Sequence, residues 1–481
     1  MKEQRHTPLH TPTGEYKARG VADLLGPDIL DLLDEDPSSV AAETEEIHPA
    51  DLADIAEALP RERVADLLRA LPPERAADVL EYLDEELRSE VLERLPTRQA
   101  ADLVTQMTPD DRADVLEELG EERADEILAK IPEQEREETE RLLAYDPDTA
   151  GGLMTTEFVS VSENSKVEDA LAGVRRIARA GRREAMHAIY AIDDHGVVKG
   201  VMSLTELLAA PEGALVHEVA WEEVVSVPPQ MDREEVARLT REYDLVVLPV
   251  VDENRRILGV VTVDDVIDAL VEEHTEDVQR FGGMEALDEP YTQIGFFSMI
   301  RKRGGWLSIL LVGEMATATV MKHFEVELSK ALVLTLFIPL IMSSGGNSGS
   351  QATSLIIRAM ALGEIKLKDW WRVALRELPS GVALGAILGL LGLIRVLVWQ
   401  YLGIGGGYGE HYMRIGAVVA FALLGVVTFG SLAGSMLPFV LRRIGFDPAS
   451  ASAPFVATLV DVTALSIYFY VALFFLSGSL L

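Results

Sequence analysis

Hydrophobic residues recur along this chain in three rhythms, and each predicts a different kind of element. Between about residues 50 and 135 an apolar-plus-turn signature returns every twelve residues: Leu59-Pro60, Leu71-Pro72, Leu83-Asp84, Leu95-Pro96, Met107-Thr108, Leu119-Gly120 and Ile131-Pro132. Each unit, such as Pro73-Glu-Arg-Ala-Ala-Asp-Val-Leu80, predicts a helix of about two to three turns opened by a proline, which a helix start tolerates. Helices this short cannot bury a face alone, so the units should stack into a small superhelix.

The second rhythm is a weaker repeat over residues 154–275. Ala191-Ile-Asp193…Gly200-Val-Met-Ser-Leu-Thr-Glu206 aligns with Val250-Val-Asp252…Gly259-Val-Val-Thr-Val-Asp-Asp265 at an offset of 59. Both copies read as strand, turn, strand, helix. Upstream, Val159-Ser-Val161 and Val225-Ser-Val227 read as strands before helical stretches at 167–179 and 234–242, giving a βαββα unit used twice. A charged helical stretch follows from 266 to about 299, through Asp268, Glu272, Glu273, Glu276 and Asp277 to Tyr291 and Phe296-Phe297, with Gly282-Gly283 as its break.

The third rhythm is five apolar runs, at about 304–323, 328–357, 373–402, 414–441 and 452–480, each long enough to cross a bilayer. Arg301-Lys302-Arg303, the basic residues from Arg358 to Arg376, and Arg442-Arg443 place those ends inside, which leaves the C-terminus outside. The run Pro339-Leu-Ile-Met-Ser-Ser-Gly345-Gly-Asn-Ser-Gly-Ser-Gln351 is polar and glycine-rich inside the second span. It predicts irregular backbone, sustained by protein or a water-filled cavity, with a packed hinge as the alternative. Glycines 381, 385 and 389, and the pair 430 and 434, suit close helix contact.

Charge changes the picture on either side of residue 290. The first 290 residues hold 29 Lys and Arg against 70 Asp and Glu, a formal charge of −41, whereas the remainder holds 14 against 9. A field of that sign argues against nucleic acid and favours cations as ligands, although solubility alone explains many of these charges. The absence of cysteine excludes disulfides and thiolate-bound zinc and fits a reducing compartment. The first residues, Met-Lys-Glu-Gln-Arg-His, lead into no apolar signal segment, so the acidic half is expected to stay cytoplasmic.

The most telling residue is Asp461, a carboxylate inside the apolar stretch 454–469. An Asp at the centre of an inserting helix costs about 2.5 to 3.5 kcal/mol, so it is usually turned toward a water-filled path. It therefore predicts a cation route. The alternative is a structural Asp held by Thr458 or Thr463.

Gly345-Gly-Asn-x-Gly-x-Gln351 and Pro454…Ala457-Thr-Leu-x-Asp461-Val-Thr463, with the repeats ahead of them, resemble the MgtE family of magnesium channels along nearly the whole chain. The tandem unit likewise resembles a pair of CBS domains, with Gly259…Thr262…Asp265 as the motif and Glu206 in the last place of the first copy. The resemblance implies a multidomain membrane protein. It comprises an all-α superhelical N domain (20–150), tandem α+β CBS domains (154–213 and 214–275), a linking helix (276–299) and a five-helix pore domain (300–481).

It further implies a magnesium-selective uptake channel in the cell (plasma or inner) membrane, working as a homodimer in the lipid bilayer. Asp461 of each subunit would face the pore, with the Ala457 carbonyl as an added ligand. Magnesium dehydrates reluctantly, so carboxylates that accept hydrogen bonds from its waters can select it. Asp447 has two readings, a secondary cation stop or a helix cap before Pro448. The implied regulatory magnesium sites use Asp78, Asp110 and Asp114 in the N domain, and Asp232, Glu234, Asp244, Asp265, Asp268, Glu273, Glu276 and Asp277 beyond it. Asp265, Asp268, Glu272 and Glu276 share a helix face, where like charges repel unless a cation intervenes. Some members bind ATP, which implies a nucleotide site near Thr262 and Asp265, although many CBS pairs bind none. Asp78, Ser350 and Ala453 depart from residues that relatives carry.

Three other readings compete. A coupled divalent-cation transporter or exporter would use the same carboxylate, and a membrane-anchored magnesium or nucleotide sensor would transport nothing. An enzyme is disfavoured by inventory, with no His-Glu-x-x-His, no cysteine, no Gly-x-Ser-x-Gly and no histidine in the last two spans.

Overall fold

The computed structural model describes residues 19–179, 186–287, 291, 294–404 and 407–478. They form two compact units, one up to Leu270 and one from Val271 onward. The first residues of the chain, positions 288–290 and 292–293 of the linker, and the last positions of the fifth run lie outside the described residues.

The first unit opens with helices α1 (Arg19–Glu35) and α2 (Val40–Glu43). The array follows as α3 (Pro49–Ala58), α4 (Arg61–Ala70), α5 (Pro73–Glu81), α6 (Glu85–Arg94), α7 (Thr97–Val104), α8 (Pro109–Glu118), α9 (Glu121–Leu128) and α10 (Glu133–Leu142). Their starts fall twelve residues apart throughout, as the sequence rhythm predicts. Leu59, Leu71, Leu95 and Leu119 turn the chain in extended conformation at the ends of α3, α4, α6 and α8 and point into one continuous core with Leu52, Leu67, Leu80 and Leu92. Each such side chain contributes about 1.5–3 kcal/mol by leaving water.

Arginines stitch the layers. Arg75 donates to the carbonyls of Thr44, Glu45 and Ile47, Arg123 to those of Leu92 and Leu95, and Arg112 to those of Val104 and Met107. A guanidinium on the last carbonyls of an earlier turn or helix satisfies acceptors that a short helix leaves open and complements the negative end of its dipole.

The repeated α+β segment follows. In its first copy β1 (Val159–Ser162), α11 (Val167–Arg179), β2 (Ile189–Ile192), β3 (Val198–Met202) and α12 (Leu204–Ala209) form a sheet ordered β1-β2-β3, with β1 parallel and β3 antiparallel to β2. After α13 (Val216–Val219) come α14 (Arg233–Glu242), the antiparallel pair β4 (Val247–Val251) and β5 (Ile257–Thr262), and α15 (Val263–Phe281). The 59-residue offset carries even the irregularities, since the register shifts after Ala191 in one copy and after Val250 in the other. One expectation needs correction: 225–227 is no strand in the second copy. It makes a single parallel bridge, Val227 to Val250, because Pro228 and Pro229 cannot donate to a ladder.

In the second unit the spans are α16 (Phe296–His323), α18 (Ile338–Ala361), α19 (Trp370–Leu402), α20 (Tyr412–Arg443) and α21 (Ala453–Leu476), with a short α17 (Glu325–Lys330) after the first. Arg301-Lys302-Arg303 stand within the first turns of α16, not ahead of it. The linker is helical only to Phe281; Gly283 then takes a left-handed φ of +78°, and helix resumes at Phe296.

The glycine-rich run is also corrected. It is continuous α-helix from Ile338 to Ala361, with its amides satisfied along the helix axis, so no cavity is required. Its glycines instead remove side chains from a helix crossing. A Cβ on Gly430 would sit 2.5 Å from the Gly345 carbonyl oxygen, and one on Gly434 would sit 2.2 Å from that of Gly349. Gly381, Gly385 and Gly389 of α19 meet the backbone of Thr428, Leu424 and Ala420 in the same way. Ser348 and Ser431 hydroxyls bond at 2.7 Å, and the Thr353 hydroxyl donates to the Gly434 carbonyl at 2.8 Å.

The crossing can be tested at Gly434. Gly434→Ala should separate α18 from α20 and lower the stability of the purified protein by about 1–3 kcal/mol or more, read as a fall in thermal transition in detergent. Gly363→Ala, in a turn with φ +72° and nothing within 4 Å of an added Cβ, should cost only its local backbone strain.

Candidate functional site

The acids singled out by the sequence are gathered at three places. In the first unit, Pro109 starts α8 and puts Asp110 and Asp111 in its first turn, while Val263-Asp264-Asp265 does the same for α15. Carboxylates are stabilised at either helix start by the dipole. Brought together, they repel. Asp265 feels Asp110, Asp264 and Asp111, and Asp111 in turn feels Asp264 and Asp268. Thr108 donates to Asp111 at 2.6 Å, and the Thr262 hydroxyl donates to Asp265. Both residues implied for ATP therefore take part in this acid cluster.

Countercharge is scarce. Arg88 reaches the group, but it is already held by the Glu118 carboxylate and the Glu81 carbonyl. Burial, then Asp111, pushes the Asp110 carboxyl above the ordinary carboxylate range, and burial followed by Asp110 raises Asp265. Asp114 is pushed up to about 7 by burial and then by Asp110 and Asp111. More than a third of Asp114 still meets solvent, and screening there weakens the effect. Asp110, only 6% exposed, is the firmer case. Its Oδ1 is buried with no hydrogen-bond donor, the condition a cation or its bound water would relieve.

No group of three or more His, Cys, Asp or Glu side chains is drawn tightly enough to ligate one ion directly, among the described residues.

The remaining acids of the first unit are placed differently. Asp78 lies on the exposed face of α5, Asp232 caps α14 by accepting from the Glu234 amide at 2.9 Å, and Glu234 sits exposed beside it. Asp244 takes a left-handed φ of 51° in the turn before β4. The structure gives Asp232 and Asp244 local backbone roles.

A second gathering lies at the end of α15. Glu273, Glu276 and Asp277 occupy the last turns of α15, where Arg280 bonds to Glu276 at 2.6 Å and to Asp447 at 2.8 Å. Asp447 also accepts from the Ala449 amide at 2.8 Å, so it caps the turn before α21. Burial and then Asp447 raise the Asp277 carboxyl. Both readings of Asp447 thus find a physical basis, a cap and an anion facing a cation.

The third place is in the membrane span α21. Asp461 is half-buried there, while Val456, Val460, Ala464 and Leu465 take the packed side. Thr458 and Thr463 bond to their own helix carbonyls, so neither donates to Asp461 in the geometry seen. Ala457 lies against α18, since a Cβ on Gly346 would come within 3.4 Å of its own.

Comparison with known proteins follows this layout. A family described as a divalent cation transporter matches residues 338–471, the MgtE intracellular N domain matches 47–148, and CBS domains match 150–213 and 216–272. The magnesium transporter MgtE of Thermus thermophilus is 42% identical over 337 residues, covering 70% of this chain and 72% of the relative. That of Enterococcus faecalis is 35% identical over 343 residues, covering 71% and 72%. The chain belongs to the MgtE family of magnesium transporters. Its five spans are those of a membrane transporter and its N-terminal half is the family's cytosolic part.

Two solved structures are also similar. One is the soluble part of a magnesium transporter, at 29% identity and TM-score 0.49, covering 53% of this chain and 99% of that one. The other is the cytosolic domain of the Mg2+ channel MgtE in complex with ATP, at 38% identity and TM-score 0.48, covering 51% and 99%.

The sequence analysis does not single out Asp111, Asp264 or Arg280, and it leaves Glu314 of the first span unremarked. The first two were signalled by paired acids at helix starts. Arg280 needed the fold, because Asp447 is 167 residues away. Glu314 was visible as an acid in the apolar run of the first span.

The cluster gives a pH dependence of definite sign. A carboxyl whose pKa is raised by folding favours the folded state below its unfolded value near 4, and that advantage is lost as pH rises through the folded value. In chelator, the melting temperature of the full-length protein should therefore fall from pH 5 to pH 8. Asp110→Asn should recover on the order of 2 kcal/mol at pH 8 and about half of that at pH 5.

Proposed function

We propose that this magnesium transporter is a homodimeric, magnesium-selective uptake channel closed by cytoplasmic magnesium. The observation that carries the reading is the acid cluster on α8 and α15, with Arg88 its scarce countercharge and the Asp110 Oδ1 unbonded within it. Without a divalent cation these carboxylates push the two helix starts apart. A hydrated magnesium ion among them screens the repulsion, and its waters donate hydrogen bonds to the carboxylates. Because a ligand shifts an equilibrium by its difference in affinity between states, magnesium then favours the arrangement that brings the acids together.

In this reading α15 transmits the change, running from Asp265 and Asp268 to Glu273, Glu276 and Asp277 without a break. Asp447, at the cytoplasmic start of the fifth span, receives it. The permeant ion passes Asp461, whose carboxylate accepts from first-shell water, with the Ala457 carbonyl one turn below. Selection by charge and hydrated size follows from how firmly magnesium holds its shell. Asp78, Asp232, Glu234 and Asp244 complete the regulatory set in accord with the family resemblance. ATP acts as a regulatory ligand near Thr262 and Asp265. The segment boundaries 20–150, 154–213, 214–275, 276–299 and 300–481 are the functional divisions, and the C-terminus faces outward.

Magnesium uptake tests the pathway. Liposomes holding wild-type protein, an internal magnesium dye and an imposed potential should fill without any counter-ion, and Asp461→Asn should lose preference for magnesium over monovalent ions. Unchanged selectivity in the mutant would sink the role of Asp461; stoichiometric sodium or proton coupling would mark a coupled transporter.

Gating is tested separately by protease. Millimolar magnesium should protect the 266–299 linker of wild type, and Asp110→Asn, which exchanges repulsion for a donor, should be protected at lower magnesium. Cleavage indifferent to magnesium would remove the feedback model.

A further inference from the structure

The first span carries a charge that the pathway described so far does not use. Glu314 lies near the middle of α16, an apolar helix otherwise spread toward lipid, with Leu307, Ile309, Leu311, Val312 and Met315 exposed. The face of α16 that is not exposed follows helical spacing through Trp306, Leu310, Gly313, Glu314, Thr317 and Val320, and Phe324 continues it just past the helix end. Glu314 is on that face, not on the lipid side.

Three contacts fix what the face meets. The Trp306 indole donates to Ser452 at 3.2 Å, a Cβ on Gly313 would sit 2.9 Å from the Thr458 methyl, and the Phe324 and Phe469 rings stack with centroids 4.7 Å apart. The paired positions 306/452, 313/458 and 324/469 keep a nearly constant offset of 145 or 146 residues, so α16 and α21 run parallel in fixed register. Glu314 is thereby level with positions 459 and 460. At 1.5 Å rise per residue, Asp461 is only about 2–3 Å further along the axis.

The Glu314 side chain has one modest tie. Thr317 spends its hydroxyl on the Glu314 backbone carbonyl at 2.6 Å and approaches the carboxylate only at 3.4 Å. No guanidinium or ammonium is paired with Glu314 among the described ion pairs. Two acids at one level of a bilayer are costly, and such groups face water or a cation when they persist. The cation is supplied by the family's activity, since magnesium crosses this domain.

We propose that Glu314 is a second acid of the cation path and a specificity-determining residue, acting with Asp461 of the same subunit on a hydrated divalent cation. This rests on the reading of Asp461 as a path residue. A single acid per subunit selects for cations in general, whereas two at one depth weight the site toward a doubly charged ion, because Coulomb attraction scales with both charges. The outer waters of magnesium allow both carboxylates to engage one ion without replacing its inner shell.

The test is magnesium uptake by full-length protein in liposomes, measured against magnesium concentration and with sodium in competition, for wild type, Glu314→Gln, Glu314→Asp and Asp461→Asn. Gln retains the acceptor facing Thr317 and removes only the charge. Glu314→Gln should raise the half-saturating magnesium concentration on the order of tenfold and reduce preference over sodium, while Glu314→Asp stays close to wild type. If Glu314→Gln is not monodisperse in detergent, Glu314→Ser removes the charge with a small side chain and is read in the same way. Wild-type concentration dependence and selectivity in the charge-removed variant, with Asp461→Asn impaired, would overturn the role of Glu314 alone. Unimpaired Asp461→Asn would overturn the shared premise and this inference with it.

Discussion

Backbone meeting backbone inside the bilayer is the constraint on which the rest of the membrane domain depends. Lipid tails offer no hydrophobic drive for helix association, so spans hold together by close packing and by the few polar groups between them. Here the second span lies on the fourth through Gly345, Gly349, Gly430 and Gly434, and the third lies on the fourth through Gly381, Gly385 and Gly389. Val456 and Val460 of the fifth span fill the space above Gly345 and Gly349. The depth and rotation of the helix bearing Asp461 are therefore set by missing side chains elsewhere.

Electrostatics organises the cytoplasmic half by the opposite logic. In the array, repeated apolar positions build the core and arginine-to-carbonyl bonds tie the helix layers together. At the junction of α8 with α15 the demands conflict, since two helix starts that each favour acids are set against each other. On the proposed reading, that local frustration is where a cation acts, because it would relieve the repulsion at that contact.

Much of this was legible in the sequence. The twelve-residue rhythm gave the helix starts because each unit repeats the same turn chemistry, and the 59-residue offset reached as far as the bulge after Ala191 and Val250. The five spans were legible because only length and hydropathy are needed to see them. Asp110 and Asp265, both singled out from the sequence, lie together in the fold with Asp111 and Asp264. Legibility failed where one residue type serves two ends. Glycines 345 to 349 can loosen a helix or let another approach, and composition does not distinguish these. Val225-Ser-Val227 has strand composition but precedes two prolines. Arg280 and Asp447 lie too far apart in the chain for any local pattern to join them.

The parallel seam between first and fifth spans has a mechanical consequence. The second, third and fourth spans interlock through main-chain atoms, which cannot give way by a change of rotamer. The first span is joined to the bundle chiefly along α21, by an indole, a methyl and a stacked ring pair. Side-chain joints of that kind slide and re-seat at small cost. The membrane domain is thus built as a stiff frame with one loosely hinged stave, and a pull arriving through the linker at Phe296 would be spent on the stave before it could strain the frame.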